Sequence, residues 1–174
     1  VRYTHVPGGA YERGGGRVNR AEAAAVVADV IRRLRNPRFE AEKSSLGIVT
    51  FNSEQQKLIE NLLDQERRTR PDIERFFGPE WYEPVFVKNL ESVQGDERDV
   101  VLFSVAYGPD AAGHVTQNYG PLNLDGGARR LNVAITRARS ELIVFATLKP
   151  EQIDLSRAKG AGIRDFKHFL ESEK

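Results

Sequence analysis

Short apolar runs are the feature of this sequence that most constrains its fold. They include LGIVTF at residues 46–51 and LIVFA at residues 142–146, and further strand-length runs lie at residues 85–90 and 99–107. Several of them lack the alternation of apolar and polar residues that is typical of a strand with one solvent-exposed face. Strands buried on both faces are typical of parallel sheets, which carry helices on each side. The sequence therefore predicts an α/β fold with three layers, in which a mostly parallel sheet lies between helices.

Amphipathic segments between these runs predict the helices. Asn19 is suited to cap the first helix, and Glu22 follows at the spacing of a capping box. Apolar stripes at helical spacing predict a second helix after residue 52 and a last helix at residues 163–170. An arginine-rich helix is predicted at residues 128–139, directly before the fifth strand.

Length and composition favour one domain that spans residues 1–174. We expect residues 1–18 to form a first strand and a glycine-rich loop, and residues 149–174 to form a C-terminal tail and helix. The absence of methionine, and so of a start codon, suggests a piece of a longer protein. No apolar run approaches the ~20 residues of a membrane span, so no membrane contact is expected.

Charge and cysteine content exclude several kinds of site. The chain has 26 Lys and Arg against 25 Asp and Glu, so any basic function must come from local clustering. Without cysteine there can be no disulfide, thiolate zinc site or cysteine nucleophile. His5, His114 and His168 lack the spacing of metal ligands, so we predict no metal site.

Polar residues follow the predicted strands, where open parallel sheets bind their ligands. Thr50 and Asn52 lie at the end of the run at 46–51 and directly after it, and NLESVQGDERD at residues 89–99 follows the third strand. Because the arginine-rich helix leads into the fifth strand, we expect its start near the same carboxyl edge of the sheet. Three polar or charged segments should then converge on one edge.

Three residues of the 89–99 segment have chemistry suited to a nucleotide. Gly95 permits a tight turn or a close approach of the backbone to a ligand. The Gln94 amide can orient a water molecule or a phosphate oxygen, and Glu97 can accept a hydrogen bond from a ribose hydroxyl. The alternative is a polar loop in which Glu97 and Arg98 are solvated, and such loops are common.

The segment ARRLNVAITRARS, residues 128–140, concentrates four arginines. On a helix, Arg130 and Arg137 would share a face about two turns apart. A guanidinium stays charged and presents a planar fork of donors that matches phosphate, so Arg137 at the sheet edge could neutralise a transferring phosphoryl group. The alternative is a solvated helix face with salt bridges to Asp125 or Glu141, and the charge pattern alone favours neither.

Taken together, these segments resemble motifs of a known family. VQGDERDVVLFSVAYG, residues 93–108, followed by RRLNVAITRARSELIVFA, residues 129–146, resembles motifs V and VI of superfamily 1 helicases, closest to the Upf-like group. GIVTFNSEQQ at residues 47–56 resembles motif IV of that group. The resemblance spans roughly residues 1–148, and its motif VI part is long and specific.

The resemblance implies the second of two RecA-like domains, with ATP in the cleft between them and single-stranded nucleic acid across their top. Arg137 matches the arginine finger that reaches the γ-phosphate, and Arg130 matches another motif VI arginine near the cleft. Gln94, Gly95 and Glu97 match the motif V turn near the ribose and phosphates. The positions that match contacts to the nucleic-acid backbone are Thr50, Asn52, Asn89 and Ser92.

Two parts of an ATP site are missing from the sequence. A P-loop needs a Gly-Lys pair, and none occurs; no apolar strand ends in the Asp-Glu pair that would hold magnesium, since Asp96-Glu97 precedes its strand. We therefore expect the chain to be inactive as an ATPase alone. ATP and Mg²⁺ would be bound mainly by a first RecA-like domain of the same protein. The expected partners of this chain are that domain and single-stranded DNA or RNA. The expected location is the cytoplasm.

Three functions are compatible with these features. The first is the second motor domain of an ATP-dependent helicase or translocase. The others are a non-catalytic module that binds nucleic acid on a RecA-like scaffold, and a regulatory RecA-like domain whose cleft no longer works. The complete motif VI favours the motor, because a binding module does not need an arginine directed at a γ-phosphate.

Overall fold

A computed structural model describes residues 1–172, which are built around a five-stranded sheet in which all neighbouring strands are parallel. The order across the sheet is β1-β5-β4-β2-β3. This confirms the predicted parallel α/β sheet. The strands are β1 (Arg2–His5), β2 (Leu46–Thr50), β3 (Phe86–Asn89), β4 (Arg98–Ser104) and β5 (Ala138–Ala146).

Helices cover both faces of the sheet, which is the three-layer arrangement expected from the sequence. Ile48 of β2 packs into the core on one face, and its neighbour Val49 packs into the core on the other. One face is covered by α1 (Arg20–Arg35), α2 (Pro37–Ala41) and α3 (Ser53–Thr69), and the other by α4 (Gly127–Ile135) and α5 (Ala161–Ser172). The last two residues of the predicted tail, 173 and 174, lie outside the described residues.

The strand β2 shows why an unalternating apolar sequence forms a central strand. Each of its five residues is buried, because it has a strand on both sides and helices above and below. Gly47 is required there by a close contact, since a Cβ at this position would lie 2.5 Å from the ring of Phe86 on β3. A larger side chain would force the Phe86 ring to move.

The first helix is capped by one half of the predicted capping box. The Asn19 side chain accepts a hydrogen bond from the Glu22 backbone N–H at 3.1 Å. The other half is wrong, because the Asn19 N–H donates to Gln55 Oε1 at 2.9 Å and not to Glu22. The Glu22 carboxylate is thereby free to turn inward, where its Oε1 accepts from Ser104 at 2.7 Å.

The arginine-rich helix is shorter than predicted. It ends at Ile135, and β5 begins at Ala138, so the prediction of a helix to residue 139 is wrong at its C-terminal end. The physical reason is strand pairing: the Arg98 N–H donates to the Arg137 carbonyl at 3.0 Å, and Arg98 then pairs with Ala138. Arg137 therefore lies in the turn between α4 and β5.

Candidate functional site

The predicted site residues lie at two opposite edges of the sheet. Thr50 and Asn89 are paired at the carboxyl ends of β2 and β3, whereas Arg137 directly precedes β5 and so lies at its amino end. The expectation that all three polar segments meet at the carboxyl edge is therefore wrong for Arg137. A helix that leads into a strand must end where that strand begins. The seven residues of β4 separate the two edges by roughly 20 Å.

Residues 90–97 connect the two edges, because they run from the carboxyl end of β3 to the amino end of its parallel neighbour β4. Leu90 and Val93 are buried in the core on the α4 and α5 side, which holds this connection against that face of the sheet. Gly95 then takes a left-handed backbone conformation with φ at 76°, which glycine adopts without strain. The turn places Gln94 and Gly95 in front of α4.

A cleft of about 580 Å³ lies between this connection and α4. It brings together Gln94, Gly95, Arg130 and Arg137, four residues assigned to the nucleotide from the sequence. Glu97 is exposed and is not among the lining residues. The lining is Leu90, Val93, Gln94, Gly95, Asp125, Gly126, Arg129, Arg130, Val133 and Arg137.

The Arg137 guanidinium is half-buried and is oriented by neutral groups. Its Nε donates to the Val133 carbonyl at 3.1 Å, and its Nη2 donates to the Thr136 hydroxyl at 3.0 Å. No ion pair joins Arg137 to another residue of the described range. The positive charge is therefore held in position by neutral groups, with no carboxylate of the described residues in ion-pair contact.

The alternative of salt bridges to Asp125 or Glu141 is wrong for Arg130 and Arg137. Arg130 Nη1 donates to the backbone carbonyl of Asp125 at 2.9 Å and forms no ion pair within residues 1–172. The Glu141 carboxylate is bound by Arg2 at 2.7 Å and by Arg33 at 3.2 Å, both from the other side of β5. The charges of Arg130 and Arg137 are thus available to an anion in the cleft.

Arg129 is a cleft residue that the sequence reasoning did not assign to the site. It is exposed, it lines the cleft, and it too has no ion pair in the described part of the chain. Its place directly before Arg130 was the signal that could have found it. Asp125 is the one acidic residue in the lining, so the cleft carries three guanidiniums against a single carboxylate.

A further feature makes the cleft electropositive. The N-cap of α4 is Gly126, which offers no side-chain cap and itself lines the cleft, so the positive end of the helix dipole faces it. Asp96 is a nearby carboxylate that does not line the cleft; its hydrogen bond with Lys88 lowers the pKa of the Asp96 carboxyl, and the charges of Arg98 and Arg137 add to the effect. Phosphate oxygens are the kind of ligand that such a cleft binds.

Two of the residues predicted to contact nucleic acid are buried, and their side chains form hydrogen bonds within the protein. Thr50 is fully buried, and its hydroxyl donates to the Asn52 carbonyl at 2.7 Å. Asn52 is 6% exposed; it caps α3 by accepting from the Gln55 N–H at 2.7 Å, and its amide donates to the Arg17 carbonyl at 3.0 Å. The structure gives both side chains a structural role, so their assignment as contacts is corrected.

The other two lie on the carboxyl edge in an open turn. The Asn89 side chain accepts from the N–H groups of Glu91 and Ser92 at 2.9 and 3.1 Å, and its amide donates to Gln56 at 2.7 Å. Ser92 is exposed, and its hydroxyl accepts from the Asn89 N–H at 3.0 Å. These groups stand at the start of the same connection that ends in the cleft.

Comparison with known proteins places these features in a family. A family model described as an AAA domain matches residues 3–149. The chain belongs to this AAA domain family. The matched range contains the whole cleft and both edges of the sheet described above.

Relatives of the chain are helicases by name. An uncharacterized ATP-dependent helicase of Mycoplasma genitalium is 41% identical over 82% of this chain, and its homolog in Mycoplasma pneumoniae is 40% identical over 68%. The chain spans only 13% and 10% of these two proteins. A solved C-terminal domain of a possible DNA helicase from Lactobacillus plantarum is similar at 17% identity, with a TM-score of 0.45 and 78% of each chain covered.

The family match and the helicase relatives confirm the resemblance of the sequence to superfamily 1 helicases. Within residues 1–172, no three His, Asp or Glu side chains group as a metal site would require. In the same range, no helix is both long enough and apolar enough to cross a membrane.

Proposed function

We propose that this AAA domain is the second motor domain of an ATP-dependent superfamily 1 helicase or translocase. It supplies an arginine finger to a nucleotide site that it shares with a first RecA-like domain. The observation that carries this proposal is the cleft in which Arg137 and Arg130, both without ion pairs in the described residues, face Gln94 and Gly95. A purely regulatory domain would have no need to keep such charges uncompensated.

The chemistry follows from where the charges stand. Hydrolysis of ATP spreads negative charge over the oxygens of the γ-phosphate, and a guanidinium delivered across the cleft stabilises that charge. Arg137 is in the position to do so, Arg130 binds a neighbouring phosphate oxygen, and Gln94 orients the attacking water. Glu97, at the exposed end of the turn, accepts from the ribose hydroxyl. The β- and γ-phosphates and Mg²⁺ are held mainly by the first domain, so the isolated chain hydrolyses no ATP.

The nucleic-acid track lies at the opposite edge. Ser92 and Asn89 offer a hydroxyl and an amide to the backbone of single-stranded DNA or RNA, and contacts of this kind position a strand without reading its sequence. Residues 90–97 join these groups to the cleft. Binding of ATP would close the cleft between the two domains, and hydrolysis would open it again. Each cycle would then move the contacts that the domains make along the strand. Because it consumes ATP, the full-length protein acts inside the cell, in the cytoplasm.

The test compares two arginine variants of the full-length protein. Arg137→Ala removes the proposed finger. Arg68→Ala removes the same charge from an exposed position on α3 that does not line the cleft. The measurements are ATP turnover with and without single-stranded DNA or RNA, and the affinity for ATP.

We expect Arg137→Ala to lower turnover by about 10³-fold or more, as loss of an arginine finger does elsewhere, while ATP affinity falls far less. Arg68→Ala should keep the wild-type rate. Turnover of Arg137→Ala equal to that of Arg68→Ala would refute the assignment of the finger. Full-length protein that binds single strands but never hydrolyses ATP would favour the non-catalytic binding module.

A further inference from the structure

Arg139 lies two residues beyond Arg137 but has quite different surroundings. Its Nε donates to Asp99 Oδ1 at 3.1 Å, its Nη1 to Glu83 Oε2 at 3.0 Å, and its Nη2 to the hydroxyl of Ser45 at 3.1 Å. The hydrogen bonding of Arg139 to Glu83 lowers the pKa of the Glu83 carboxyl. Arg139 is not among the residues that line the cleft. It therefore acts on the site only through other groups.

The partners of Arg139 tie three strands together at the amino edge of the sheet. Asp99 belongs to β4, Ser45 directly precedes β2, and Glu83 lies in the segment that leads into β3. Ser45 is fully buried and is itself fixed to β4: its N–H donates to Asp99 Oδ2 at 3.0 Å, and its hydroxyl accepts from the Asp99 N–H at 2.9 Å. We call Arg139, Glu83, Asp99 and Ser45 the amino-edge clamp.

The clamp coincides with an irregularity in the strand that follows Arg137. Arg98 pairs with Ala138, but Val100 pairs with Glu141, so Asp99 alone stands opposite two residues of β5. Such a β-bulge adds one residue to one strand, bends it, and changes the direction of nearby side chains. The ion pair between Asp99 and Arg139 joins the two sides of the bulge.

We infer that Arg139 is a positioning residue: through the amino-edge clamp it fixes the bulge at the start of β5, and thereby the place from which Arg137 reaches the nucleotide. The inference rests on the proposed function, because it assigns Arg139 a part in the same site. The Arg137 carbonyl is itself bonded to Arg98, the residue directly before Asp99, so Arg137 and the bulge are held by adjacent residues of β4.

The expected effect is on the rate and not on binding. Misplacement of a catalytic group by about 1 Å can cost about 10²-fold in rate. Without the clamp, we expect kcat of the full-length protein to fall at least tenfold, with ATP affinity within twofold of wild type. Because the Arg139 side chain is 37% exposed and fills no space in the core, we expect the variant to stay folded.

The experiment uses Arg139→Gln in the full-length protein, with Arg67→Gln as the matched control. Arg67 forms the same kind of two-bond ion pair, to Glu74 at 2.8 and 2.6 Å, and its side chain is 31% exposed against 37% for Arg139. It lies on α3, away from the cleft. Glu83→Gln serves as a second variant that keeps Arg139 and its bond to Asp99, and it should show a smaller loss of the same kind.

A double-mutant cycle separates positioning from a general loss of structure. If Arg139 acts through Arg137, the double variant Arg137→Ala, Arg139→Gln will be no slower than Arg137→Ala alone. A further loss in the double variant, or a kcat of Arg139→Gln within twofold of Arg67→Gln, would overturn the inference. Should Arg139→Gln not fold, a wild-type kcat in Glu83→Gln overturns it too. An active Arg137→Ala would instead refute the proposed function itself.

Discussion

Replacing Glu22 with glutamine should remove a specific part of the pH dependence of folding. Glu22 is fully buried in α1, where its Oε1 accepts from the Ser104 hydroxyl and from the Ala106 N–H, both at 2.7 Å. Its Oε2 is buried without a hydrogen-bond partner among the described residues. Burial raises the pKa of Glu22 to about 7, against the hydrogen bonds, which lower it.

The magnitude follows from linkage between protonation and folding. One pKa unit corresponds to about 1.4 kcal/mol, so a rise from 4.5 to about 7 corresponds to about 3 kcal/mol. The sign is that of an acid whose charged form is disfavoured in the folded state. Stability is highest below pH 4.5, where the carboxyl is neutral in both states, and it is lost as the pH rises from 4.5 to about 7. Above that, the loss is complete.

The assay is urea unfolding of the chain at pH values from 4 to 8. The difference in the free energy of unfolding between Glu22→Gln and wild type should move by about 3 kcal/mol over this range, in favour of glutamine at high pH. Any cost of the buried glutamine amide is independent of pH and cancels from that change. Glu60→Gln, at an exposed position on α3, controls for the loss of one acidic side chain. A difference that stays constant from pH 4 to 8 would refute the argument.

Substitutions at two positions test the structural roles assigned above. Asn52→Ala removes the cap of α3 and should lower the free energy of unfolding, measured in urea, by about 1 kcal/mol. The affinity of the full-length protein for nucleic acid should not change. A loss of that affinity at unchanged stability would show that Asn52 is a contact after all. Gly95→Ala should cost about 1–2 kcal/mol because φ is 76°, whereas Gly95→Asn should cost less, since asparagine tolerates this conformation better. Equal stability of Gly95→Ala and wild type would show that the turn is not left-handed.

The layered fold could be predicted from the sequence because burial on both faces leaves a direct trace in it. The run at 46–51 has no polar alternation, and β2 is in fact buried along its length between two neighbouring strands. Asn19 was recognised as a helix cap for a similar reason, since capping is decided within three or four residues of the chain.

The end of α4 could not be predicted in this way. Residues 136–139 contain neither glycine nor proline, and nothing local stops the helix there. The stop comes from Arg98, about forty residues earlier in the chain, whose N–H binds the Arg137 carbonyl and begins the β5 ladder. Tertiary pairing overrides local helix propensity at this point.

The edge on which Arg137 lies was mispredicted for a different reason. The rule that ligands bind beyond the carboxyl ends of strands was applied to a residue that precedes its strand. The connection 90–97 resolves the conflict, because it carries Gln94 and Gly95 back across the sheet to Arg137. The burial of the Glu22 carboxylate was not predicted, because its partners Ser104 and Ala106 are more than eighty residues away in the sequence.

The most direct test of the central claim is a structure of the full-length protein with ADP and aluminium fluoride, a mimic of the transferring phosphoryl group, together with a single strand. The account predicts that the Arg137 guanidinium turns from the Val133 carbonyl to the fluorides, within about 3 Å, as a charge-assisted hydrogen bond requires. A closed, loaded site in which Arg137 remains on Val133, while another side chain contacts the fluorides, would contradict it.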